Sequence, residues 1–139
     1  MSSLAISSVN WRALKLSLVA VFSPDGQQIL SASGSTIRLQ DAASGALIRE
    51  FRGHSQLVKS LAFSPAGQHV LSGGEDASVR LWETASGALI REFKGHLNSV
   101  NSVAFSPDGQ QVLSGSFDAS IRLWDTASGR PIRVFQGRT

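Results

Sequence analysis

The chain has 139 residues, of which 42% are hydrophobic and 17% are charged, a balance typical of a globular domain and not of a disordered chain. It contains no cysteine, which excludes a disulfide framework and a thiolate metal site, and its formal net charge is only +3. No apolar run approaches the roughly 18 residues of a membrane-spanning helix. We therefore expect a cytoplasmic protein with no membrane partner and no cofactor.

Residues 1–13 precede the repeated part of the chain, and the apolar pattern of residues 4–10 predicts an extra strand there. Trp11 has no counterpart in the later repeats, and we expect it to hold this strand against a neighbouring sheet. From residue 14 onward, short apolar runs alternate with clusters of Gly, Pro, Ser and Asp. That pattern indicates strands and not helices.

Three units follow one another, at residues 14–52, 53–94 and 95–139. The last two repeat at a spacing of 42 residues, since Gly53-His54 returns as Gly95-His96. Such a period is typical of a four-stranded propeller blade. Four strands are predicted in each unit: at 16–22, 28–32, 36–40 and 46–51 in the first, and at 100–105, 111–115, 120–124 and 132–135 in the third.

The first unit departs from the other two. It has Arg12-Ala13 where they have Gly-His, and Gln40 where they have Trp. It is also one residue shorter between Ser31 and Ile37, in the turn that carries an Asp in the other units. We expect the first unit to be a degenerate copy.

The repeated motifs resemble those of the WD-repeat β-propeller family. Gly-His is followed about two dozen residues later by Asp and then by Leu-Trp-Glu or Leu-Trp-Asp, with Phe-Ser-Pro between. The resemblance covers residues 14–137. It implies an all-β fold of three four-stranded antiparallel WD-repeat blades that form part of a β-propeller. It also implies a structural hydrogen-bond network in each intact blade, formed by His54, Ser72, Asp76 and Trp82, and by His96, Ser114, Asp118 and Trp124.

The physical reason for such a network is that polar atoms at the end of a blade are removed from water. Each buried polar group without a partner costs about 1 to 3 kcal/mol. An imidazole can bond through both ring nitrogens, so a histidine can bridge the Asp of a turn and the hydroxyl of a strand.

Ser, His and Asp together also suggest a hydrolase, with Ser72 or Ser114 as nucleophile. The same spacing in two units favours the structural interpretation, because a catalytic site normally occurs once. Burial decides between the two, since a nucleophile must be reachable. A metal site is not predicted, because His54, His69 and His96 lie in different blades or on different strands.

A nucleic-acid interface would have to use arginines that recur at matching strand positions, namely Arg38, Arg80, Arg122, Arg49, Arg91 and Arg133. We favour a different interpretation, in which these are solvated outer positions paired locally with Glu50 and Glu92. A nucleic-acid partner is therefore not expected.

The residues that break the repeat mark the predicted binding surface. Glu75 of the second unit becomes Phe117 in the third, and Ser55-Gln56 becomes Leu97-Asn98. These pairs fall in turns that flank the His and Asp end of the blades, where rigid scaffolds commonly place recognition residues. We call Ser55, Gln56, Glu75, Leu97, Asn98 and Phe117 the loop face, with Phe117 as the expected anchor for a protein or peptide.

The sequence thus predicts a non-catalytic protein-interaction scaffold and not an enzyme. Three blades are too few to close a propeller of four to eight, so we expect completion by oligomerisation of identical chains, as a dimer with six blades or, alternatively, a trimer with nine. A second alternative is an engineered or evolutionary propeller fragment whose only activity is self-assembly.

Overall fold

The computed structural model describes residues 18–137, and this range contains twelve strands and no helix. The strands are β1 (Leu18–Phe22), β2 (Gln28–Ser33), β3 (Thr36–Asp41), β4 (Leu47–Phe51), β5 (Val58–Phe63), β6 (His69–Gly74), β7 (Val79–Glu83), β8 (Leu89–Phe93), β9 (Val100–Phe105), β10 (Gln111–Ser116), β11 (Ser120–Asp125) and β12 (Pro131–Gln136). The predicted all-β fold is confirmed.

The strands form three antiparallel sheets of four, each in sequence order. We call β1–β4 blade 1, β5–β8 blade 2 and β9–β12 blade 3. The first strands of the three blades adjoin one another, so β1, β5 and β9 are the inner strands and β4, β8 and β12 the outer ones. Most predicted strand ends agree with the structure to within one or two residues. The extra strand at residues 4–10 and Trp11 lie outside the described residues.

Two hydrophobic cores lie between adjacent blades. In each core, one blade contributes four large apolar side chains from its second, third and fourth strands. In blade 1 these are Leu30, Ile37, Leu39 and Phe51, and in blade 2 they are Leu71, Val79, Leu81 and Phe93. The next blade contributes its Trp and the valines of its first two strands. We call these two sides of a blade its forward face and its rear face.

Hydrogen bonds also join the blades. The amide of Val58 in blade 2 donates to the carbonyl of Gly34 in blade 1 at 2.9 Å, and the amide of Val103 in blade 3 donates to the hydroxyl of Ser60 in blade 2 at 3.1 Å. Adjacent blades are therefore joined by polar contacts as well as by packing.

Blade 1 differs from the other blades in one turn, between β2 and β3, and in one strand, β1. Its β2–β3 turn needs only Gly34 and Ser35, with Gly34 in the left-handed region at φ +63°. The matching turns of blades 2 and 3 are longer, and in them Ala77 and Ala119 adopt this left-handed conformation, at φ 66° and 68°. β1 also lacks the bulge that interrupts β5 and β9.

Candidate functional site

The end of blade 2 brings together all four residues predicted for its network. His54 Nδ1 lies 2.9 Å from Asp76 Oδ2, and His54 Nε2 lies 2.7 Å from Ser72 Oγ. Trp82 Nε1 donates to the same Ser72 oxygen at 2.9 Å. Ser72 Oγ is therefore shared between an imidazole and an indole, and both side chains are buried.

Blade 3 repeats this geometry with its own four residues. His96 lies 2.9 Å from Asp118 Oδ2 and 2.7 Å from Ser114 Oγ, and Trp124 Nε1 donates to Ser114 Oγ at 2.9 Å. Ser72 and Ser114 are 0% and 1% exposed. Neither hydroxyl can meet a substrate in this arrangement, which argues against either serine as a nucleophile.

One member of each network was missed from the sequence. The hydroxyl of Ser78 donates to Asp76 Oδ1 at 2.7 Å, and Ser120 makes the same bond to Asp118. Both serines are buried. The sequence does contain a Ser two residues after the Asp in both units. Serine is common in turns, however, and its hydrogen bond to the carboxylate is visible only in the structure.

The networks change the acidity of their members. Burial lowers the pKa of His54, and this outweighs the carboxylate of Asp76, which raises it. Burial by itself would raise the pKa of Asp76, but hydrogen bonds from Ser78 and His54 hold it below its ordinary range. The pKa of Asp118 is lowered in the same way, against the effect of burial, by Ser120 and the amide of Leu97. These carboxylates are anionic at neutral pH.

An arginine covers the Gly of each Gly-His pair. A Cβ atom at position 95 would stand 2.6 Å from Nη1 of Arg122, and one at position 53 would lie closer still to Nη1 of Arg80. Arg80 also lies 3.6 Å from Glu92 on the outer strand. In blade 3 the outer strand has Val134 opposite Arg122, and within residues 18–137 Arg122 forms no ion pair.

The structure leaves the whole loop face exposed, at Ser55, Gln56, Glu75, Leu97, Asn98 and Phe117. Leu97 is 86% exposed and Phe117 is 68% exposed. The amide of Leu97 donates to Asp118 Oδ2 at 3.0 Å, and Asp118 is the residue that follows Phe117. This hydrogen bond therefore connects the turn that carries Leu97 with the turn that carries Phe117. The two apolar side chains therefore stand on neighbouring turns at the same end of blade 3.

Among the residues that the structure describes, blade 1 has no such network at its Trp position. The side-chain amide of Gln40 donates to the carbonyl of Gly45 at 3.1 Å, within its own blade. Arg38 and Arg52 both pair with Glu50. Of the six recurring arginines, only Arg38 and Arg80 have the expected local pairing, with Glu50 and Glu92. Arg49 and Arg91 are not fully solvated, because the Nε atom of each is buried and has no hydrogen-bond partner among residues 18–137.

No group of three or more His, Cys, Asp or Glu side chains that could hold a metal ion occurs among residues 18–137. His69 lies in β6, apart from His54 and His96. No helix within the same range is long and apolar enough to cross a membrane.

The fold and the paired networks define a run of β-propeller blades. The family described as WD domain, G-beta repeat matches residues 12–41, 45–83 and 87–125, which together make up most of the chain. The protein belongs to the WD40 repeat family.

Solved structures and curated relatives agree with this assignment. The structure of U3-55K matches with a TM-score of 0.84 and 28% identity, covering 90% of this chain and 41% of that one. The RRP9 WD40 repeats match with a TM-score of 0.83 and 28% identity, covering 88% and 39%. The intraflagellar transport protein 122 homologs of Danio rerio and Homo sapiens are 37% and 35% identical over 57 residues, which is 41% of this chain and 5% of theirs.

Proposed function

We propose that the protein is a non-catalytic interaction scaffold whose propeller ring is completed by identical chains and whose loop face binds a protein or peptide. WD40 repeats imply a scaffold of this general kind. The observation that supports the loop face most directly is the pair of exposed apolar side chains, Leu97 and Phe117, on adjacent turns of blade 3.

These turns are held rigidly. The amide of Leu97 bonds to the buried network through Asp118, and the amide of Phe117 donates to the carbonyl of Ser99 at 2.9 Å. A surface that is already ordered loses less conformational entropy on binding, and an exposed aromatic side chain is a common anchor of binding energy. The matching positions of blade 2 carry Ser55 and Glu75, so blade 2 lacks the apolar patch of blade 3.

The charge beside the patch narrows the class of partner. Arg122 covers Gly95, two residues before Leu97, and forms no ion pair within the described residues. A guanidinium in this position suits a carboxylate. The proposed partner is therefore a protein segment that carries an apolar side chain next to an acidic one.

A displayed random-peptide library tests this proposal and needs no candidate partner. Peptides selected on the wild-type protein should pair an apolar residue with Asp or Glu, and they should lose binding to Phe117→Ser and Leu97→Ser. Arg122→Gln should weaken the acidic preference. Leu89→Ser, which changes a half-exposed leucine of the outer strand β8, is the control and should bind normally. Equal binding by all variants would contradict the loop-face proposal.

Two alternatives have distinct outcomes. If no peptide is selected and the protein assembles into a ring, the engineered or evolutionary fragment with self-assembly as its only activity is favoured. If the purified protein hydrolyses esters and Ser114→Ala removes that activity without changing the melting temperature, the hydrolase hypothesis is favoured. The burial of Ser114 supports the opposite result.

A further inference from the structure

The forward face of blade 3 has the composition of a buried surface but is open to solvent. Its residues Leu113, Ile121, Leu123 and Phe135 occupy the positions that in blade 2 are filled by Leu71, Val79, Leu81 and Phe93. The blade 2 side chains are at most 2% exposed, whereas Leu113, Ile121 and Phe135 are 41%, 47% and 46% exposed. No blade among residues 18–137 packs on this face.

A recess in the same face also lacks its occupant. In blade 2, a Cβ atom at Gly73 would stand 2.7 Å from Val100 Cγ1 and 2.8 Å from Val103 Cγ1, so the two valines of blade 3 fill the space above this glycine. Gly115 is the same position in blade 3. A Cβ atom there would meet only Ser102 Cβ, at 3.9 Å, which belongs to its own blade.

The rear face of blade 1 carries side chains suited to that recess. Leu18 pairs with Ser33 at the position where Val58 pairs with Gly74 and Val100 pairs with Ser116. Val58 and Val100 are fully buried by the preceding blade, but Leu18 is 56% exposed. Phe22, at the other end of the same strand, is 67% exposed.

Charges at the edge of the two faces are complementary as well. In the joint between blades 2 and 3, Arg91 Cδ lies 3.2 Å from where a Cβ at Gly129 would stand, so this arginine extends over the β11–β12 turn. Its positive charge is one of the influences, smaller than the hydrogen bonds from Ser128, that lower the pKa of Asp125 at the start of that turn. Arg133 holds the position of Arg91 in blade 3, and Asp41 holds that of Asp125 in blade 1.

We propose that the forward face of blade 3 binds the rear face of blade 1 of a second copy of this chain. Leu18 of one copy enters the recess above Gly115 of the other, and Arg133 extends over the turn that begins at Asp41, as Arg91 extends over the turn that begins at Asp125. The contacts between blades 1 and 2 and between blades 2 and 3 of one chain show the geometry that we expect for this contact between two chains. Repeated contact between two different surfaces closes into a ring when the rotation permits, which gives six blades from two chains or nine from three.

This inference rests on the assembly part of the proposed function and not on its loop face. Light scattering during gel filtration at micromolar concentration measures it directly. The wild-type protein should have two or three times the mass of one 14.8 kDa chain. Gly115→Leu, which fills the recess, should reduce the mass to that of a single chain while the strand signal in circular dichroism is retained.

A charge exchange makes the test independent of any effect on folding. Arg133→Glu should weaken assembly a few-fold, as expected for a change of one exposed charge, and the double variant Arg133→Glu with Asp41→Arg should recover the loss, because only the contact between two copies brings these positions together. Lys94→Glu makes the same charge change at an exposed position of blade 2 and should assemble as the wild type does.

Three results would overturn the proposal: a wild-type mass of one chain, which would mean that some other molecule covers this face; an assembly unaffected by Gly115→Leu; or failure of the double variant to recover. Peptide binding measured on the same samples separates the two claims. If a single-chain species still binds the peptides, the proposed contact between two copies is wrong, whereas the proposal that the loop face binds a peptide is supported.

Discussion

Gly73 of blade 2 lies so close to Val100 of blade 3 that a Cβ atom on the glycine would stand 2.7 Å from Val100 Cγ1. Real Cβ atoms do not approach another carbon this closely. The placement of Val100 and Val103 therefore leaves no space for a Cβ atom at Gly73, for reasons of packing and not of backbone conformation. The matching position of blade 1 is Ala32, which packs in a core that has Leu61 where blade 3 has Val103.

Gly73→Ala should lower the free energy of unfolding by about 1 to 3 kcal/mol, the usual cost of overpacking a core. Urea denaturation followed by tryptophan fluorescence measures the loss. Gly115→Ala, measured at a concentration at which the protein is a single chain, is the matched control, since its added Cβ then meets nothing closer than 3.9 Å, and it should cost far less. Equal losses for the two variants would mean that contact with Val100 is not the cause.

Asp118→Asn and His96→Ala should each destabilise the fold by about 1 to 3 kcal/mol, because each leaves buried hydrogen-bonding groups without a partner. In Asp118→Asn, the turn loses the anionic acceptor of the Leu97 amide and the Ser120 hydroxyl. Thermal and urea unfolding report the effect. Gln56→Ala, an exposed change on the loop face at a side chain that forms no hydrogen bond within residues 18–137, should alter stability by less than about 0.5 kcal/mol. Stability losses no larger than that of this control would show that the network contributes little.

Gln40→Trp should raise the melting temperature little. Trp82 and Trp124 each donate to a serine that a histidine also contacts, and blade 1 has neither the histidine nor the turn Asp. The reverse change, Trp124→Gln, should cost about 3 kcal/mol or more, because a large buried side chain is lost from the core. A gain from Gln40→Trp as large as the loss from Trp124→Gln would contradict this account.

Mild acid should destabilise the protein through His54. Its pKa is lower in the folded state than the ordinary 6.5, so below that pH the unfolded chain binds protons that the folded one excludes. The free energy of unfolding should therefore fall as the pH drops from 7 toward 5. His54→Gln should show a smaller fall over this range. An identical pH profile for the variant would rule out His54 as the source.

Stronger acid should bring a second loss, through Asp76 and Asp118. Both carboxyl groups have a pKa below the ordinary 3.8 in the folded state, so the stability they contribute is present above that value and disappears as the pH falls beneath it. Urea midpoints between pH 4.5 and 2 should decrease more steeply for the wild type than for Asp118→Asn. Parallel curves would contradict the assignment.

The sequence was sufficient to predict the strands because turn residues bound each apolar run. The residue pattern alone did not predict that the four network residues meet. His54 and Asp76 are 22 positions apart, and periodicity does not show how a turn folds. The prediction of the network came from the family resemblance. Ser78 was missed for the same reason. The absence of a bulge in β1, which lets Leu18 stand where Val58 and Val100 stand, could be recognised only from strand pairing.

The two alanines in the left-handed region show that this motif is below its stability maximum. An L-residue at such a φ costs roughly 1 kcal/mol or more relative to glycine, and blade 1 already has Gly34 in its shorter turn. Replacing both Ala77 and Ala119 by glycine should therefore raise the melting temperature, even though glycine increases the entropy of the unfolded chain. The turns that follow Asp76 and Asp118 thus offer a route to a more thermostable scaffold for protein engineering, with no change to the residues of the loop face.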